Sequence, residues 1–312
     1  MSQPSPLFSV IIATHNRADL LAEALASVFQ QRFASFEVLV VDDGSTDHTS
    51  QMLATFGDRL RTWSQLNRGP GAARNLACQH AVGQYVAFLD SDDLWFPWTL
   101  EVYARAIREA GEPALLAGQP AHFKARAELV AVTEQPPSLQ RFPDYLSSGD
   151  EWRWYGASSL VVRTDMLKAA GWFTDRWING EDTDLTMRLG VAPGFVHVSA
   201  PSMFGYRQHQ HSAVSNDHRT LEGAWYLIQM ELDGHYPGGS RRAKDRWRIA
   251  TRHLRPVALR CLQLGWWTEA WQLYQAMVLW HCRLGRWRFL AAFPLMFATA
   301  RLRGSRPDPG SS

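Results

Sequence analysis

Residues 90–93 read DSDD, three carboxylates in four positions, at the end of the apolar run VAFL. Two carboxylates about 4 Å apart repel by roughly 4 kcal/mol at an effective dielectric of about 20, so the cluster calls for water or a cation. Alternate side chains of an extended segment share a side, which groups Asp90 with Asp92 and turns Ser91 away. Such paired oxygens suit Mg²⁺ or Mn²⁺ held jointly with the phosphates of a ligand. A solvated acidic turn closing a strand has the same composition. GEDTDL at 180–185 offers a carboxylate for proton abstraction, and equally the acidic first turn of a helix. VVDDGSTD at 40–47 closes a strand with Asp-Gly, a common turn and also a place where backbone and Asp43 can approach a nucleotide base. In NRGPGAARN at 67–75, Pro70 and Gly71 open a helix and Arg74 falls in its first turn. Cations are disfavoured there, and an anionic ligand would explain it.

These residues need a frame. FSVIIAT, FEVLVVD and QYVAFLD are continuous apolar runs, which predicts strands buried on both faces. Between them lie RADLLAEALASVFQQ, TDHTSQMLATFG and PGAARNLACQHAVG, which predict helices, the last closed by Gly83; LRTWSQ predicts a short strand. This alternation implies a mostly parallel sheet with helices on both faces. Ligands bind such sheets at the carboxyl ends of the strands. Thr14, His15 and Asn16, then Asp42 and Asp43, then Asp90 and Asp92, all fall there. Periodicity weakens from 113 to 150, and EQPPSLQRFPDYLSSGD reads as a loop that shapes an acceptor site. GASSLVVRTDMLKAAGWF restores a strand and a helix, GEDTDLTMRL reads as a short helix, and GFVHVS and MFGYRQH as short strands. Trp152, Trp154 and Tyr155 precede GASS, where aromatic faces either stack on a sugar or pack in the core.

In this order FSVIIATHNRADLLAEALASVFQQ, FEVLVVDDGSTDHT, NRGPGAARNLACQHAVGQYVAFLDSDDLW, GASSLVVRTDMLKAAGWF and NGEDTDLTMRL resemble glycosyltransferase family 2, over about residues 7–215. The resemblance implies the GT-A fold: a central sheet flanked by helices, with a Rossmann-like nucleotide-binding half at about 7–112 and an acceptor half at about 113–222. It further implies a nucleoside diphosphate sugar donor and Mn²⁺ or Mg²⁺. Thr14, Asn16 and Asp43 would face the base and ribose, with Arg74 near the nucleotide. Asp90 and Asp92 would form the DxD motif, with Asp92 the direct metal ligand. Of Glu181 and Asp182, the aspartate would be the catalytic base of a single inverting displacement. In YRQHQHSAVS, His209 fits the family's metal- or diphosphate-facing histidine better than His211. No QxxRW motif marks a processive enzyme, so one sugar per encounter is expected. Within enzymes, a nucleotidyltransferase would use similar parts; outside them, a silent nucleotide-sugar-binding scaffold would.

Beyond residue 222 the charge reverses. Residues 1–222 hold 18 Lys and Arg against 25 Asp and Glu, whereas 223–312 hold 14 against 5. The segments RRAKDRWRIATRHLRPVALRCLQLG, WWTEAWQLYQAMVLWHCRLG and RWRFLAAFPLMFATARL predict helices, so 223–303 forms a basic, Trp-rich helical extension, with a disordered tail at 304–312. Two arrangements suit Trp266, Trp267, Trp271, Tyr274, Met277, Val278 and Trp280: an interfacial face against anionic lipid beside a lipid-linked glycan acceptor, or a cap packed on the catalytic domain. No nucleic-acid module is present. Cys78, Cys261 and Cys282 form no paired framework, which suggests a reducing compartment. With no secretory pattern at the N-terminus, the expected location is the cytoplasm, with peripheral contact at the inner face of the plasma membrane.

Overall fold

The computed structural model describes residues 5–153, 156–209 and 216–304. The chain divides into two compact units, one of residues 1–177 with 181–215, the other of residues 178–180 with 216–312.

The first unit runs β1 (Phe8–Thr14), α1 (Ala18–Phe29), β2 (Phe36–Asp42), α2 (Thr49–Ala54), β3 (Arg61–Ser64), α3 (Pro70–Gln79), β4 (Tyr85–Asp90) and β5 (Leu94–Trp95). It continues with α4 (Thr99–Ala110), β6 (Leu115–Gly118), β7 (Pro120–Phe123), β8 (Ser138–Phe142), β9 (Leu160–Arg163), α5 (Thr164–Ala169), α6 (Glu181–Arg188), β10 (Phe195–Ala200) and β11 (Phe204–Arg207). Eight strands form one sheet in the order β3-β2-β1-β4-β9-β6-β10-β8. The half β3-β2-β1-β4 is wholly parallel. Beyond it, β9 runs antiparallel to both β4 and β6, β10 is parallel to β6, and β8 is antiparallel to β10.

Strand β1 is central, and Phe8, Val10, Ile11 and Ile12 are fully buried, as a strand covered on both faces requires. Each such side chain contributes roughly 1.5–3 kcal/mol. Register then places the chemistry: Thr14 pairs with Asp42, and Ala13 with Asp90, so three strand ends finish level. A second sheet, β5-β11-β7, lies beside this edge, with Phe204 opposite Trp95 and Gly205 opposite Leu94. It brings the residues after β11 back to the DSDD turn between β4 and β5.

Two local expectations change. Helix α3 stops at Gln79 with His80 as its cap, short of Gly83. Gly83 instead packs on β1: its N–H donates to Ser9 Oγ, and an added Cβ would lie 2.5 Å from the Ser9 nitrogen. The segment read as loop at 134–150 contains β8, an edge strand whose side chains are mostly exposed or half-buried. It carries no apolar run because only one neighbour and little core lie against it.

The second unit comprises α7 (Asp217–Leu232), α8 (Ala243–Gln263), α9 (Trp267–Arg283) and α10 (Trp287–Gly304). Met277 and Trp280 are buried in its core, with Trp266, Trp267, Trp271 and Tyr274 partly buried against it. The α9 aromatics therefore close the core of their own unit. Buried Arg246 joins α8 to α7 through Glu231, Nε to Oε2 at 2.7 Å and Nη2 to Oε1 at 3.1 Å. Its Nη1 donates to the carbonyls of Pro237 and Gly239.

Candidate active site at the strand ends

Helix α3 sends Arg74 inward from its second turn, one step past the expected first. The buried guanidinium bridges two acids, Nη2 to Asp90 Oδ1 at 2.7 Å and Nη1 to Glu181 Oε1 at 2.8 Å. Burial alone works against its charge, but Asp90 and Glu181 outweigh that and hold the proton more firmly than usual. Its partners are thus protein carboxylates, which explain its position without an anionic ligand. Arg74 also ties the DSDD turn to the start of α6.

The three acids opening α6 have separate assignments. Glu181 takes Arg74, and Asp184 takes Arg188, Nη2 to Oδ2 at 2.7 Å. Asp182 has no ion-pair partner among the described residues; its Oδ1 accepts the Thr183 N–H at 2.6 Å. Desolvation first, then the Glu181 charge, push its carboxyl up to about 7, against the opposing pull of Arg74. A carboxylate so poised exchanges protons near neutrality.

In the DSDD turn, the Asp90 N–H donates to Ser158 Oγ at 2.9 Å, and the same hydroxyl donates to Asp93 Oδ2 at 2.6 Å. The Arg207 N–H donates to Asp93 Oδ1 at 3.0 Å, its Nε to the Asp92 carbonyl at 2.8 Å, and its Nη2 to Glu23 at 2.8 Å. Burial, then the charges of Asp92 and Asp90, raise the Asp93 carboxyl well above the ordinary range. This clamp delivers His209, two residues further on, to Asp92: Nε2 lies 2.8 Å from Oδ2. Arg17 Nη1 reaches the same oxygen at 2.8 Å.

At the other strand ends, polar side chains build loops. Asp43 is buried, with Oδ1 accepting from Gln65 Nε2 at 2.7 Å and the Arg68 N–H at 2.9 Å, and Oδ2 accepting from the Gly69 N–H at 2.8 Å. Gly69 has φ +90°, and an added Cβ would lie 2.7 Å from the Trp177 ring, so glycine is required. Asn16 sits at φ 51°, a left-handed conformation that asparagine tolerates, and its Oδ1 accepts from the N–H groups of Thr46 and Asp47. The Thr14 carbonyl accepts the Asp43 N–H at 2.8 Å, while its buried hydroxyl has no hydrogen-bond partner among the described residues. His15 Nδ1 lies 2.9 Å from the Asp43 carbonyl, and its Nε2 lies 3.1 Å from Asn67 Nδ2. These contacts fix a ring that donates at Nδ1 and accepts at Nε2.

The structure therefore joins Arg74, Asp90 and Glu181 in one group, with Asp182 next to Glu181, and Asp92 with His209 in another. Asp90 faces Arg74, and among the described residues no three His, Cys, Asp or Glu side chains gather as a ready metal cluster. The Asp92 oxygen and His209 nitrogen make a donor pair that suits Mn²⁺ or Mg²⁺ when a diphosphate supplies the remaining oxygens, provided Arg17 yields Asp92. Trp152 is exposed; Trp154, Tyr155 and His211 lie outside the described residues.

Sequence alone assigns no role to Arg17, Ser158 or Arg207, and Asp93 lies outside the DxD pair of Asp90 and Asp92. Arg17 offered one signal: it is the N-cap of α1, a position that favours Ser, Thr, Asp or Asn. An arginine there has its side chain engaged elsewhere.

A parallel half, a reversed strand β9 and acids collected at the strand ends define a GT-A fold. The Glycosyl transferase family 2 model matches residues 9–159, and the chain carries a domain of that family. It is similar to S. aureus TarS residues 1–349 in complex with UDP-GlcNAc, with TM-score 0.62 and 22% identity over 86% of this chain and 81% of that one. It is also similar to the mannosyltransferase PcManGT from Pyrobaculum calidifontis in complex with GDP-Man and Mn²⁺, with TM-score 0.54 and 19% identity over 97% and 89%. The uncharacterized glycosyltransferase alr2836 of Nostoc sp. is 40% identical over 170 residues, 51% of this chain and 52% of its own. WfgD of Escherichia coli, a UDP-Glc:alpha-D-GlcNAc-diphosphoundecaprenol beta-1,3-glucosyltransferase, is 37% identical over 99 residues, 31% of this chain and 39% of its own. The chain spans about half the length of the Nostoc relative and 17% of one from Rickettsia felis.

Proposed function

We propose that the chain is an inverting, metal-dependent glycosyltransferase that moves one sugar from a nucleoside diphosphate sugar to an acceptor hydroxyl. The observation that carries this reading is Asp182, an acid without an ion-pair partner among the described residues, pushed up to about 7 and linked through Glu181 and Arg74 to the DSDD turn. Asp182 takes the proton of the acceptor hydroxyl as that oxygen attacks the anomeric carbon from the face opposite the leaving diphosphate. A base in this role contributes roughly 10² to 10⁴ in rate. Asp92 and His209 hold Mn²⁺ or Mg²⁺, which when bound supplies Lewis-acid stabilisation of the leaving diphosphate. Arg17, displaced from Asp92, adds positive charge on the donor phosphates. Asp90 and Glu181 keep Arg74 fixed between the two carboxylate groups. Thr14 and the loops that Asn16 and Asp43 shape receive base and ribose.

The naming of WfgD for a diphosphoundecaprenol acceptor, and of TuaG from Bacillus subtilis for teichuronic acid biosynthesis, supports a glycan or lipid-linked glycan acceptor in surface polysaccharide assembly. The reaction then takes place on the cytoplasmic side of the membrane, with the helical unit in peripheral contact. The test is a panel of UDP-, GDP- and dTDP-sugars with Mn²⁺ or Mg²⁺, read for donor binding and for transfer to lipid-linked acceptors. Selective, metal-dependent transfer that Asp92→Ala abolishes is the expected result. Pyrophosphate release instead of sugar transfer marks a nucleotidyltransferase. Binding without turnover across the acceptor panel marks a scaffold.

A further inference from the structure

Helix α10 carries two apolar stripes. Phe289, Phe293 and Phe297, four residues apart, form the inner one: Phe293 stacks on Tyr274 of α9 at 4.8 Å, and Phe297 meets Trp271 at 5.0 Å. Pro294 has no N–H to give the Leu290 carbonyl, and the Tyr274 hydroxyl donates to that carbonyl at 2.9 Å. This bond pins the rotation of α10 about its axis.

The outer stripe is Trp287, Ala291, Leu295, Ala298 and Leu302, at steps of four, four, three and four that follow one helix face. Trp287 is 63% exposed, Leu295 68% and Leu302 72%. A helix on a water-soluble unit needs one apolar face, and this helix has a second. Along this part of the chain the charge has one sign. No Asp or Glu occurs between Glu269 and Asp308, a stretch that holds six arginines. Arg288 and Arg301 of α10 are exposed.

We infer that the outer face of α10 rests on an anionic lipid surface, with Trp287 at headgroup level and Leu295 and Leu302 dipping into the acyl boundary. The inference deepens the reading of a lipid-carried acceptor and rests on it for its purpose. Aromatic and aliphatic groups flanked by cations fit a surface of apolar depth beneath anionic headgroups. A second copy of the chain fits less well, because a symmetric pairing sets the same arginines against one another. Among the described residues no helix is long and apolar enough to cross a membrane, so α10 lies on the surface.

The experiment sediments the full chain with phosphatidylcholine vesicles, with and without phosphatidylglycerol, and measures UDP and GDP binding by calorimetry on the same preparations. Binding to the phosphatidylglycerol vesicles, weakening as salt rises, is expected. The double variant Leu295→Glu, Leu302→Glu should lose on the order of a hundredfold in vesicle affinity, while its circular dichroism and nucleotide binding stay unchanged. Arg288→Gln and Arg301→Gln should each cost about fivefold. Equal binding to both kinds of vesicle, or full binding by the leucine variant, overturns the inference. So does self-association that the leucine variant abolishes, with no vesicle binding by the parent chain. Nucleotide binding separates the two readings: its absence alone removes the transferase, and the absence of vesicle binding alone removes the lipid face.

Discussion

Each unit buries an arginine, and the two are used differently. Arg246 meets one carboxylate, Glu231, and spends its remaining donor nitrogen on the carbonyls of Pro237 and Gly239, so charge and hydrogen bonds both close. Arg74 meets Asp90 and Glu181, with Asp182 beside them and Asp92 and Asp93 in the adjoining turn. One region is balanced; the other keeps surplus negative charge under partial burial. A balanced buried pair holds helices together, whereas a surplus held in place raises proton affinity and invites a cation.

The comparison is sharpest when one acid is removed from each region. Asp182→Asn should lower kcat by roughly 10² to 10⁴ and leave donor affinity intact, as steady-state kinetics with a calorimetric check would show. A loss confined to KM would remove Asp182 as the base. Glu231→Gln should leave catalysis by the folded protein unchanged but reduce stability by about 3–5 kcal/mol, because Arg246 is left buried with a neutral partner. Urea unfolding measures that loss, and a stability close to the parent's would mean that the two regions are not distinct in kind.

The pH profile divides them next. The Asp182 carboxyl is raised to about 7, so the proposed base would be protonated, and unable to take a proton, below that pH. Accordingly kcat/KM should rise about tenfold per unit as pH increases towards 7 and level off above it, and the limb should vanish in Asp182→Asn. A rise centred near 4 would show an unperturbed carboxylate instead. The smallest effect is expected at Tyr274→Phe, which deprives the Leu290 carbonyl of its donor beside Pro294. It should cost about 1–2 kcal/mol in urea unfolding without any change in kcat.

The parts visible in the sequence were those with a local pattern. FSVIIAT, FEVLVVD and QYVAFLD form β1, β2 and β4 because both faces of these strands are covered and every position must be apolar. Strand β8 escaped since an edge strand needs no such run. The DSDD and GEDTDL clusters were legible as acids, but not their division of labour. Which acid takes Arg74, which Arg188 and which none depends on contacts such as Arg74 to Glu181, 107 residues apart. Arg17, Ser158 and Arg207 reach the DSDD turn over 75, 65 and 114 residues or more, and no window of sequence encodes such a meeting. The helical unit shows the same limit. Its aromatic content is plain in the sequence, but the bond from Tyr274 to Leu290 decides which face of α10 turns outward.

The clamp formed by Arg207 and His209 also has a consequence for synthesis of the chain. Both lie 114–117 residues after the acids they hold. At about 5–20 residues per second, Asp92 and Asp93 emerge roughly 6–23 s before their partners. For that interval the carboxylates after β4 have neither clamp nor imidazole, and only Arg17, Arg74 and, once β9 emerges, Ser158 are there to hold the turn. The site is completed late, after the sheet that bears it is largely laid down, so a ribosome-bound fragment ending before β11 would carry most of the sheet without the Asp92–His209 pair.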